Sequence, residues 1–299
     1  MSPRRALITG GGGQLASDLE LRLSEGWETA APPRAELDVT DEAAVARAFA
    51  DLQPDVVFNC AAYHNVDACE QNELVAFEVN ARAVKRLAER CAAGGALLVH
   101  LSTNYVFDGS RPDPYAEDDV PRPRSVYAIS KLAGEAAALA YCPGALVVRT
   151  AGLYGLRGSA SKGGNFVTRM SVRAREQGEI RMVADQRLTP TSTGDLATVL
   201  IDAVEAGVDG VVHLTNSGEC SWYEFTVAIL ELSGIEARIE PVDTSRPPGG
   251  ADRPLNGVLA RPRADALGLP RLRPWMDALR DYLGQAEIAA VGSGQSPAS

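Results

Sequence analysis

Residues 5–24 read RALITGGGGQLASDLELRLS, and three consecutive patterns in this stretch decide the fold. Residues 5–9 form a short apolar run that is typical of a strand, and residues 10–13 are four glycines that can turn tightly. Residues 14–24 carry leucines at helical spacing. The stretch therefore predicts a strand, a glycine turn and a helix in direct succession. The apolar helix positions are Leu15, Leu19, Leu21 and Leu23.

The same alternation continues along the chain. Short, nearly all-apolar strands between helices indicate a parallel sheet covered on both faces, because each crossover places a helix over the sheet. We therefore expect an α/β fold with a doubly wound parallel sheet. Pro-rich stretches at 241–254 and 262–274 indicate a smaller, irregular C-terminal lobe. Further strands are predicted at 55–59, 96–102, 145–150 and 211–215, and further helices at 74–92, 126–141 and 165–177.

The composition limits the class of partner. The chain has 299 residues, and its 29 Lys and Arg against 39 Asp and Glu give a formal charge of −10. This balance argues against a surface that follows a nucleic-acid backbone. No apolar run reaches the roughly 18 residues of a membrane-spanning helix, and the N-terminus leads directly into the first predicted strand. We therefore expect a cytoplasmic protein without membrane contact.

The glycine turn predicts a dinucleotide site, because it lies between a strand and a helix. Glycines let the backbone approach a pyrophosphate, and the helix N-terminus offers free N–H groups. A carboxylate that would hold the ribose of NAD is missing from residues 29–33, and Arg34 follows instead. A 2′-phosphate bound by Arg34 would favour NADPH, with NADH as the alternative; Arg34 as a solvated loop cation is the other interpretation. Asp38 lies too late for the ribose, and it either reaches the adenine or caps the helix starting near Asp41.

Tyr127 and Lys131 form a candidate catalytic pair. They are four residues apart on a predicted helix and therefore share one face. A free phenol has a pKa of about 10, and an adjacent cation would lower the pKa of Tyr127. The predicted strand 96–102 runs into the hydroxyl-bearing segment 102–105, at the sheet edge where ligands of doubly wound folds bind. A hydroxyl there can share a substrate carbonyl oxygen with Tyr127.

Together and in order, these motifs resemble the extended short-chain dehydrogenase/reductases, whose sheet is of the Rossmann type, and more narrowly the dTDP-4-dehydrorhamnose reductase family. The resemblance covers nearly the whole chain apart from the C-terminal tail. It is carried by the glycine turn, NCAAY at 59–63, STNYVFDG at 102–109, Y-x-x-x-K at 127–131, GGNFV at 163–167, DQRLTPT at 185–191, DLA at 195–197, CSWYEF at 220–225, RP at 253–254 and PW at 274–275.

The resemblance implies hydride transfer from NAD(P)H to the C4 ketone of a nucleotide-linked 4-keto-6-deoxy sugar. Tyr127 would protonate the developing alkoxide, Lys131 would lower the tyrosine pKa and orient the cofactor, and Thr103 would hydrogen-bond the carbonyl. The implied cofactor contacts are Gly10, Gly13, Gln14 and Leu15 at the pyrophosphate, Asp38 and Val39 at the adenine side, and Ala61, Ala62 and Tyr63 at the far ribose and nicotinamide. The implied substrate contacts are Asn104, Tyr105, Gly152, Asn165 and Arg253.

Two positions depart from the family pattern and leave the exact sugar open. Asn104 stands where the family usually has Asp, which removes a charge and adds donors. Gly152 stands where many members have Trp, which would leave a more open sugar pocket. Asn165 is either a helix cap or a contact to the sugar diphosphate. Arg253 is either a diphosphate clamp or a member of a surface ion pair.

Three other functions share parts of this sequence pattern. A sugar-nucleotide dehydratase is disfavoured, because the residues after Thr103 are Asn104 and Tyr105 rather than the acid/base pair that such enzymes need. An epimerase of the same superfamily is disfavoured only by the reductase-like C-terminal half. A non-catalytic NADP-binding subunit, similar to the regulatory β subunit of methionine adenosyltransferase, is disfavoured because Thr103, Tyr127 and Lys131 are all retained.

No metal site is expected from the sequence. Some relatives use Mg²⁺ at a dimer contact, but the sequence shows no clear ligand cluster, and its five cysteines include no C-x-x-C pair. His100 and His213 lie in predicted apolar strands and are expected to be core residues. A homodimer is compatible with the resemblance.

The domain organisation follows from the same patterns. A dinucleotide-binding domain is expected from the regular alternation of strands and helices, and a substrate-binding lobe from the segments that interrupt it. A tail rich in Ala, Gly and Ser, without periodicity, is expected to be disordered. The expected bounds are 1–150, rejoined by about 187–215, for the dinucleotide domain, 151–186 and 216–287 for the lobe, and 288–299 for the tail.

Overall fold

The computed structural model describes residues 3–24, 26–157, 164–245 and 250–292, except the side chains of residues 287–292. The strands are β1 (Arg4–Thr9), β2 (Trp27–Ala30), β3 (Val56–Asn59), β4 (Leu97–Thr103), β5 (Leu146–Thr150), β6 (Leu153–Tyr154), β7 (Glu179–Val183), β8 (Arg187–Leu188), β9 (Thr191–Ser192), β10 (Gly210–His213), β11 (Cys220–Ser221) and β12 (Arg238–Val242). The helices are α1 (Gln14–Leu23), α2 (Glu42–Leu52), α3 (Val66–Gln71), α4 (Glu73–Phe77), α5 (Ala83–Gly94), α6 (Val126–Tyr141), α7 (Phe166–Gln177), α8 (Thr193–Glu205), α9 (Trp222–Leu232), α10 (Pro262–Ala266) and α11 (Trp275–Gly292).

A six-stranded sheet has the order β10-β5-β4-β3-β1-β2, and all of its strand pairs are parallel. The chain leaves β1 for β2 on one side and then returns to place β3 on the other side. This confirms the predicted doubly wound sheet. The change of direction lies at the carboxyl ends of β1 and β3, which are followed by Gly10 and Cys60. Ligands of this class of fold bind at such a switch point.

Alternating side chains of the strands build one core on each face of the sheet. Ala6 and Ile8 join the core that contains α1 and α8, whereas Leu7 joins the core that contains α2 and α5. These three side chains are at most 1% exposed. Because both faces are covered, the strands read as apolar runs, which explains why their positions can be predicted from the sequence.

A further, smaller core lies in the C-terminal half. It packs α7, α9 and α11 around Tyr154 and Phe225, which are fully buried. Ser221 begins α9 through a reciprocal capping box with Glu224. Short strand pairs belong to the same half, β7 with β12, β8 with β11 and β6 with β9. Between these elements the chain returns to the main sheet, where β10 pairs with β5.

Three details differ from the sequence predictions. The helix predicted at 74–92 is divided by a π-helical turn, Glu78–Arg82, that joins α4 to α5. Leu21, one of the four apolar positions assigned to α1, is 70% exposed. The last helix continues to Gly292, past the start of the disordered tail predicted from residue 288. The remainder of that tail, 293–299, lies outside the described residues. Over the described ranges, no helix is long and apolar enough to cross a bilayer.

Candidate active site

The glycine turn after β1 has the shape of an anion site. Gly10 and Gly12 have φ of +75° and +76°, a region that side chains disfavour. A Cβ on Gly10 would lie 3.0 Å from the backbone nitrogen of Ala61, whereas the space beside Gly12 is open. Gly13 is the N-cap of α1 and brings no side-chain cap, so the first N–H groups of the helix stay available. Within the described part of the chain, the buried Oε1 of Gln14 has no hydrogen-bond partner. These features fit the pyrophosphate of a dinucleotide.

The loop after β2 lies against the glycine turn. Gly11 forms an isolated parallel bridge with Pro33, and a Cβ on Gly11 would collide with the carbonyl oxygen of Ala31. The Arg34 side chain is 76% exposed, and its Nε donates a hydrogen bond to Asp38 Oδ2 at 3.1 Å. Arg34 is therefore held on an exposed loop beside the turn, where its other guanidinium donors can meet a ligand.

Asp38 is bonded within its own loop. Its Oδ1 accepts hydrogen bonds from the N–H and the hydroxyl of Thr40, at 2.9 and 2.7 Å. Burial acts to raise the pKa of Asp38, but the hydrogen bonds from Thr40 and Arg34 outweigh it, and the pKa is lowered. The N-cap of α2 is Asp41, whose carboxylate accepts two backbone N–H groups of the first turn. The alternative role of Asp38 as the helix cap is therefore wrong.

Asn80 holds the segment that follows β3. Tyr63 N donates to Asn80 Oδ1 at 2.9 Å, and Asn80 Nδ2 donates to Tyr63 O and Ser130 Oγ, each at 3.0 Å. A Cβ on Gly134 would collide with Asn80 O, so this glycine lets α6 pack closely on the π-helical turn. The sequence motifs do not point to Asn80. A polar residue at a core position of an apolar helical pattern is the signal that could have found it, and π-helical turns are frequent at functional sites.

Tyr127 lies in the first turn of α6, facing the end of β4. Its phenol is hydrogen-bonded to the Thr103 hydroxyl, and the Tyr105 ring packs edge-on with 6.0 Å between the two ring centroids. Burial raises the pKa of Tyr127 above its ordinary value of 10.0, while the Thr103 hydrogen bond acts to lower it. The phenol is therefore protonated at neutral pH and can serve as a proton donor.

Lys131 lies one turn later on α6 and is 2% exposed. Its Nζ donates to the carbonyl oxygen of Leu101 at 2.5 Å and lies 3.4 Å from Nε2 of His100. Burial lowers the pKa of Lys131 to about 8, and Glu135 acts in the opposite direction. The predicted lowering of the Tyr127 pKa by Lys131 is wrong for the free protein. Burial determines the direction of that pKa, and the amine is bonded to β4 instead.

A buried ion pair supports this part of the site. Arg149 on β5 donates to both carboxylate oxygens of Glu135 on α6, the shortest distance being 2.7 Å, and Ser102 Oγ donates to Glu135 at 2.5 Å. The Arg149 and Glu135 side chains are 5% and 3% exposed. The pair ties α6 to β4 and β5, and it keeps the charge of Glu135 one turn from Lys131.

Asn104 is buried, and its amide is already engaged. Nδ2 donates to the carbonyl oxygen of Gly257 at 2.9 Å, and Oδ1 accepts from the Thr103 hydroxyl at 3.3 Å. An ionised Asp could not make the first bond, because it has no proton to donate. Where the family usually has Asp, this chain therefore has both Asn104 and an acceptor for its amide, the carbonyl oxygen of Gly257. Asn104 connects Thr103 to the segment around residue 257.

Arg253 and Tyr105 meet Asp67 in a half-buried cluster. The guanidinium of Arg253 pairs with Asp67 Oδ2 at 2.7 Å and hydrogen-bonds the phenol of Tyr105. Because the Tyr105 ring packs on Tyr127, this cluster borders the catalytic candidates. Arg253 therefore does form an ion pair, but the pair lies beside the site and not on an open surface.

Four residues predicted to contact ligands have other contacts in the structure. Gly152 has φ of +55°, and a Cβ there would lie 2.7 Å from Leu188 Cδ1, so the predicted open space beside Gly152 is already filled. Asn165 caps α7, and its amide nitrogen donates two further hydrogen bonds inside the protein. Leu15 and Val39 are both 5% exposed core residues, so only their backbones are left for a ligand.

Comparison with known proteins places the chain in a family. A family profile described as the RmlD substrate binding domain matches residues 4–288. The chain is 42% identical to a dTDP-4-dehydrorhamnose reductase of Mycobacterium tuberculosis, over 93% of this chain and 92% of the relative. It is also 42% identical to a Streptomyces antibioticus protein named probable dTDP-4,6-dihydroxy-2-methyloxan-3-one 4-ketoreductase, over 93% of this chain and 94% of the relative.

A solved structure is also similar. The dTDP-4-dehydrorhamnose reductase of Bacillus anthracis, in complex with NADP, is 31% identical with a TM-score of 0.88, covering 95% of this chain and 99% of that one. These matches confirm the resemblance carried by the motifs. The chain belongs to the family of the RmlD substrate binding domain, whose matched relatives include dTDP-4-dehydrorhamnose reductases.

Proposed function

We propose that the chain uses NADPH to reduce the C4 ketone of a nucleotide-linked 4-keto-6-deoxy sugar, converting dTDP-4-dehydrorhamnose to dTDP-rhamnose or acting on a close deoxysugar analogue. The observation that carries the proposal is the half-buried, protonated phenol of Tyr127, hydrogen-bonded to Thr103 at the carboxyl end of β4. Carbonyl reduction needs a proton donor at the oxygen, and this phenol supplies one. The relatives named above are reductases.

The cofactor would supply the hydride, and the residues around the switch point would hold it. Gly10, Gly13 and Gln14 line the turn that accepts the pyrophosphate, and Arg34 would bind the 2′-phosphate. Asp38 lies towards the adenine side. The segment from Ala61 to Tyr63, held by Asn80, would line the nicotinamide side, with Lys131 at the ribose.

The reaction then needs a proton at O4 as hydride reaches C4. Tyr127 would give its phenolic proton to O4, so that the ketone becomes an alcohol. The Thr103 hydroxyl, which donates to Asn104 in the free protein, would turn to hold the same oxygen. Lys131 in its charged form would stabilise the phenolate that remains. Thr103 and Lys131 are buried, and the exclusion of water around them strengthens their electrostatic effect.

The substrate would lie between the sheet and the C-terminal lobe. The sheet, 1–150 with about 187–215, would bind the cofactor, and the lobe, 151–186 with 216–287, would bind the sugar nucleotide. Arg253 belongs to the lobe, so a substrate diphosphate would compete with Asp67 for its guanidinium. Asn104 and Tyr105 would border the sugar. Its identity stays open, because two relatives of 42% identity carry different substrate names.

The alternative functions are not favoured. An epimerase or a non-catalytic subunit would not account for relatives named as reductases. The homodimer and the cytoplasmic location stay predictions.

A reductase assay tests the function. Purified protein mixed with NADPH and a panel of dTDP-4-keto-6-deoxyhexoses should lower the absorbance at 340 nm with at least one sugar, with formation of the 4-hydroxy product. Failure to oxidise NADPH with every 4-keto sugar nucleotide would contradict the proposal.

The matched control is Tyr127→Phe, which keeps the ring but removes the proton donor. It should lower kcat roughly 10²- to 10⁴-fold with little change in NADPH affinity, and near-normal turnover would remove Tyr127 from its role.

Arg34→Ala tests the cofactor preference. Loss of a charge-assisted hydrogen bond at an exposed site should raise the KM for NADPH about five- to tenfold and leave the KM for NADH unchanged. Arg47→Ala, an exposed arginine on α2, is the control and should change neither value. Equal kcat/KM for NADPH and NADH in the native protein would show that Arg34 does not bind a 2′-phosphate.

Asn104→Asp tests the bond to Gly257. A buried carboxylate would face a carbonyl oxygen without a donor, so the free energy of unfolding should fall by about 1–3 kcal/mol at pH 8. Burial raises the folded-state pKa of the introduced carboxyl above its unfolded value of about 4. The loss should therefore shrink at low pH, where the protonated acid can donate, and grow as the pH rises through the folded-state pKa.

The control for this measurement is Asn72→Asp. Asn72 is exposed, and its Nδ2 also donates to a carbonyl oxygen, that of Ala68, at 2.9 Å. Water can replace that bond, so the expected change is under about 0.5 kcal/mol. Similar losses in urea denaturation of the two variants would show that burial at Asn104 is irrelevant.

A further inference from the structure

Four buried polar side chains form a continuous line from the glycine turn to Lys131, and we name Thr9, Asn59, His100 and Lys131 the buried polar chain. Thr9 Oγ1 donates to Asn59 Oδ1 at 2.7 Å, and the Asn59 amide nitrogen lies 3.1 Å from Nδ1 of His100. On the other side of the ring, Nε2 lies 3.4 Å from Lys131 Nζ. Each of these residues is at most 2% exposed. In the proposed reduction only Lys131 has a role, and Thr9, Asn59 and His100 have none.

The sheet register builds this chain. Thr9 pairs with Asn59 across β1 and β3, and Asn59 pairs with His100 across β3 and β4. A Cβ on Gly134 would lie 3.1 Å from Nε2 of His100, so the glycine lets α6 bring Lys131 to the ring. The contact between His100 and Lys131 therefore results from close packing at a specific position.

The placement of the ring proton follows from these contacts. Burial, and then the charge of Lys131, hold the pKa of His100 well below its ordinary value, so the imidazole is neutral and carries one N–H. A charged Lys131 can only donate, which requires Nε2 to accept and the proton to sit on Nδ1. Asn59 must then turn its carbonyl oxygen towards Nδ1.

A neutral Lys131 allows the opposite arrangement. Nε2–H can then donate to the amine, and the Asn59 amide nitrogen can donate to Nδ1, as its observed orientation permits. The two orientations of the Asn59 amide occupy the same space, so the change needs no backbone movement. Since burial brings the pKa of Lys131 to about 8, both arrangements are accessible near neutral pH.

The other groups packed against His100 and Lys131 do not change how the position of the His100 ring proton depends on the charge of Lys131. Glu135, one turn along α6, favours the charged form of Lys131. Burial raises the pKa of the Cys60 thiol, at the end of β3, to about 12, so that group stays neutral. Val147, which pairs with His100 on β5, has no titratable group.

We propose that His100 is a positioning residue that holds the Lys131 ammonium through Nε2, and that the hydrogen bonds of the buried polar chain reverse direction when Lys131 loses its proton. The expected effect of His100 on NADPH binding rests on the proposed function, in which Lys131 orients the cofactor. The reversal of the hydrogen bonds does not rest on the proposed function. One proton at Lys131 changes the hydrogen bonding as far as Thr9, the residue that precedes the glycine turn.

Nitrogen-15 NMR of histidine-labelled protein tests the proposal without substrate. The chain has three histidines, and the His100 ring is identified by its absence in His100→Gln. At about pH 6.5 we expect a protonated Nδ1 and an unprotonated Nε2, with imidazolium forming only well below the ordinary histidine pKa of 6.5. As the pH passes about 8 the proton should move towards Nε2. A ring with its proton on Nε2 at pH 6.5, or with one tautomer throughout, overturns the proposal. Lys131→Met should abolish the pH dependence.

His100→Gln and His100→Asn are a matched pair that tests the expected effect of His100 on NADPH binding. Gln places an amide oxygen near the position of Nε2 and can still accept from Lys131, whereas Asn reaches only the position of Nδ1. We expect a KM for NADPH within about threefold of the native value for Gln, and an increase of about tenfold for Asn with a smaller change in kcat. Thermal unfolding checks that both variants are folded. Equal KM values in two folded variants contradict the positioning role. An inactive native protein would contradict the proposed function and leave the NMR result standing.

Discussion

A buried ammonium is the constraint on which the site depends. Lys131 is almost completely shielded from solvent, and a charge in such a place is stable only with close polar or charged partners. The Leu101 carbonyl and the His100 ring contact it directly, and Glu135 adds an opposite charge one turn away. Glu135 is in turn held by Arg149 on the next strand. Burial also favours the protonated phenol of Tyr127. The surroundings therefore favour the uncharged form of both Tyr127 and Lys131.

The fold and the outline of the site could be predicted because their signals are local. Buried parallel strands read as apolar runs, and a tyrosine and lysine four residues apart on a helix must share a face. The contacts that refine the site have no local signal. Asn104 bonds to Gly257 and Arg253 pairs with Asp67, contacts that join residues more than 150 positions apart. The direction of the Tyr127 pKa differs from the predicted one, because sequence spacing does not reveal how strongly the protein desolvates a side chain.

The acidic character of the chain poses a problem for a protein that would bind two diphosphates. With a formal charge of −10, the positive potential has to be local. The uncapped N-terminus of α1 supplies partial charge without a side chain. Arg34 is exposed beside that turn with its Nε bonded to Asp38, and the half-buried Arg253 is paired with Asp67. A diphosphate that binds Arg253 would therefore have to displace the ion pair between Arg253 and Asp67. This requirement favours a ligand that makes more than one contact with the protein.

Lys131 is buried deeply enough for its charge to depend on pH near neutrality. Carbon-13 NMR of protein labelled at the lysine Cε measures this directly, because the chain has three lysines and Lys131→Met identifies the relevant resonance. In the protein without cofactor, Lys131 should titrate with a pKa of about 8. A titration near the ordinary value of 10.5 would contradict the described burial of Lys131, because the ammonium would then be far better solvated or paired than the structure describes.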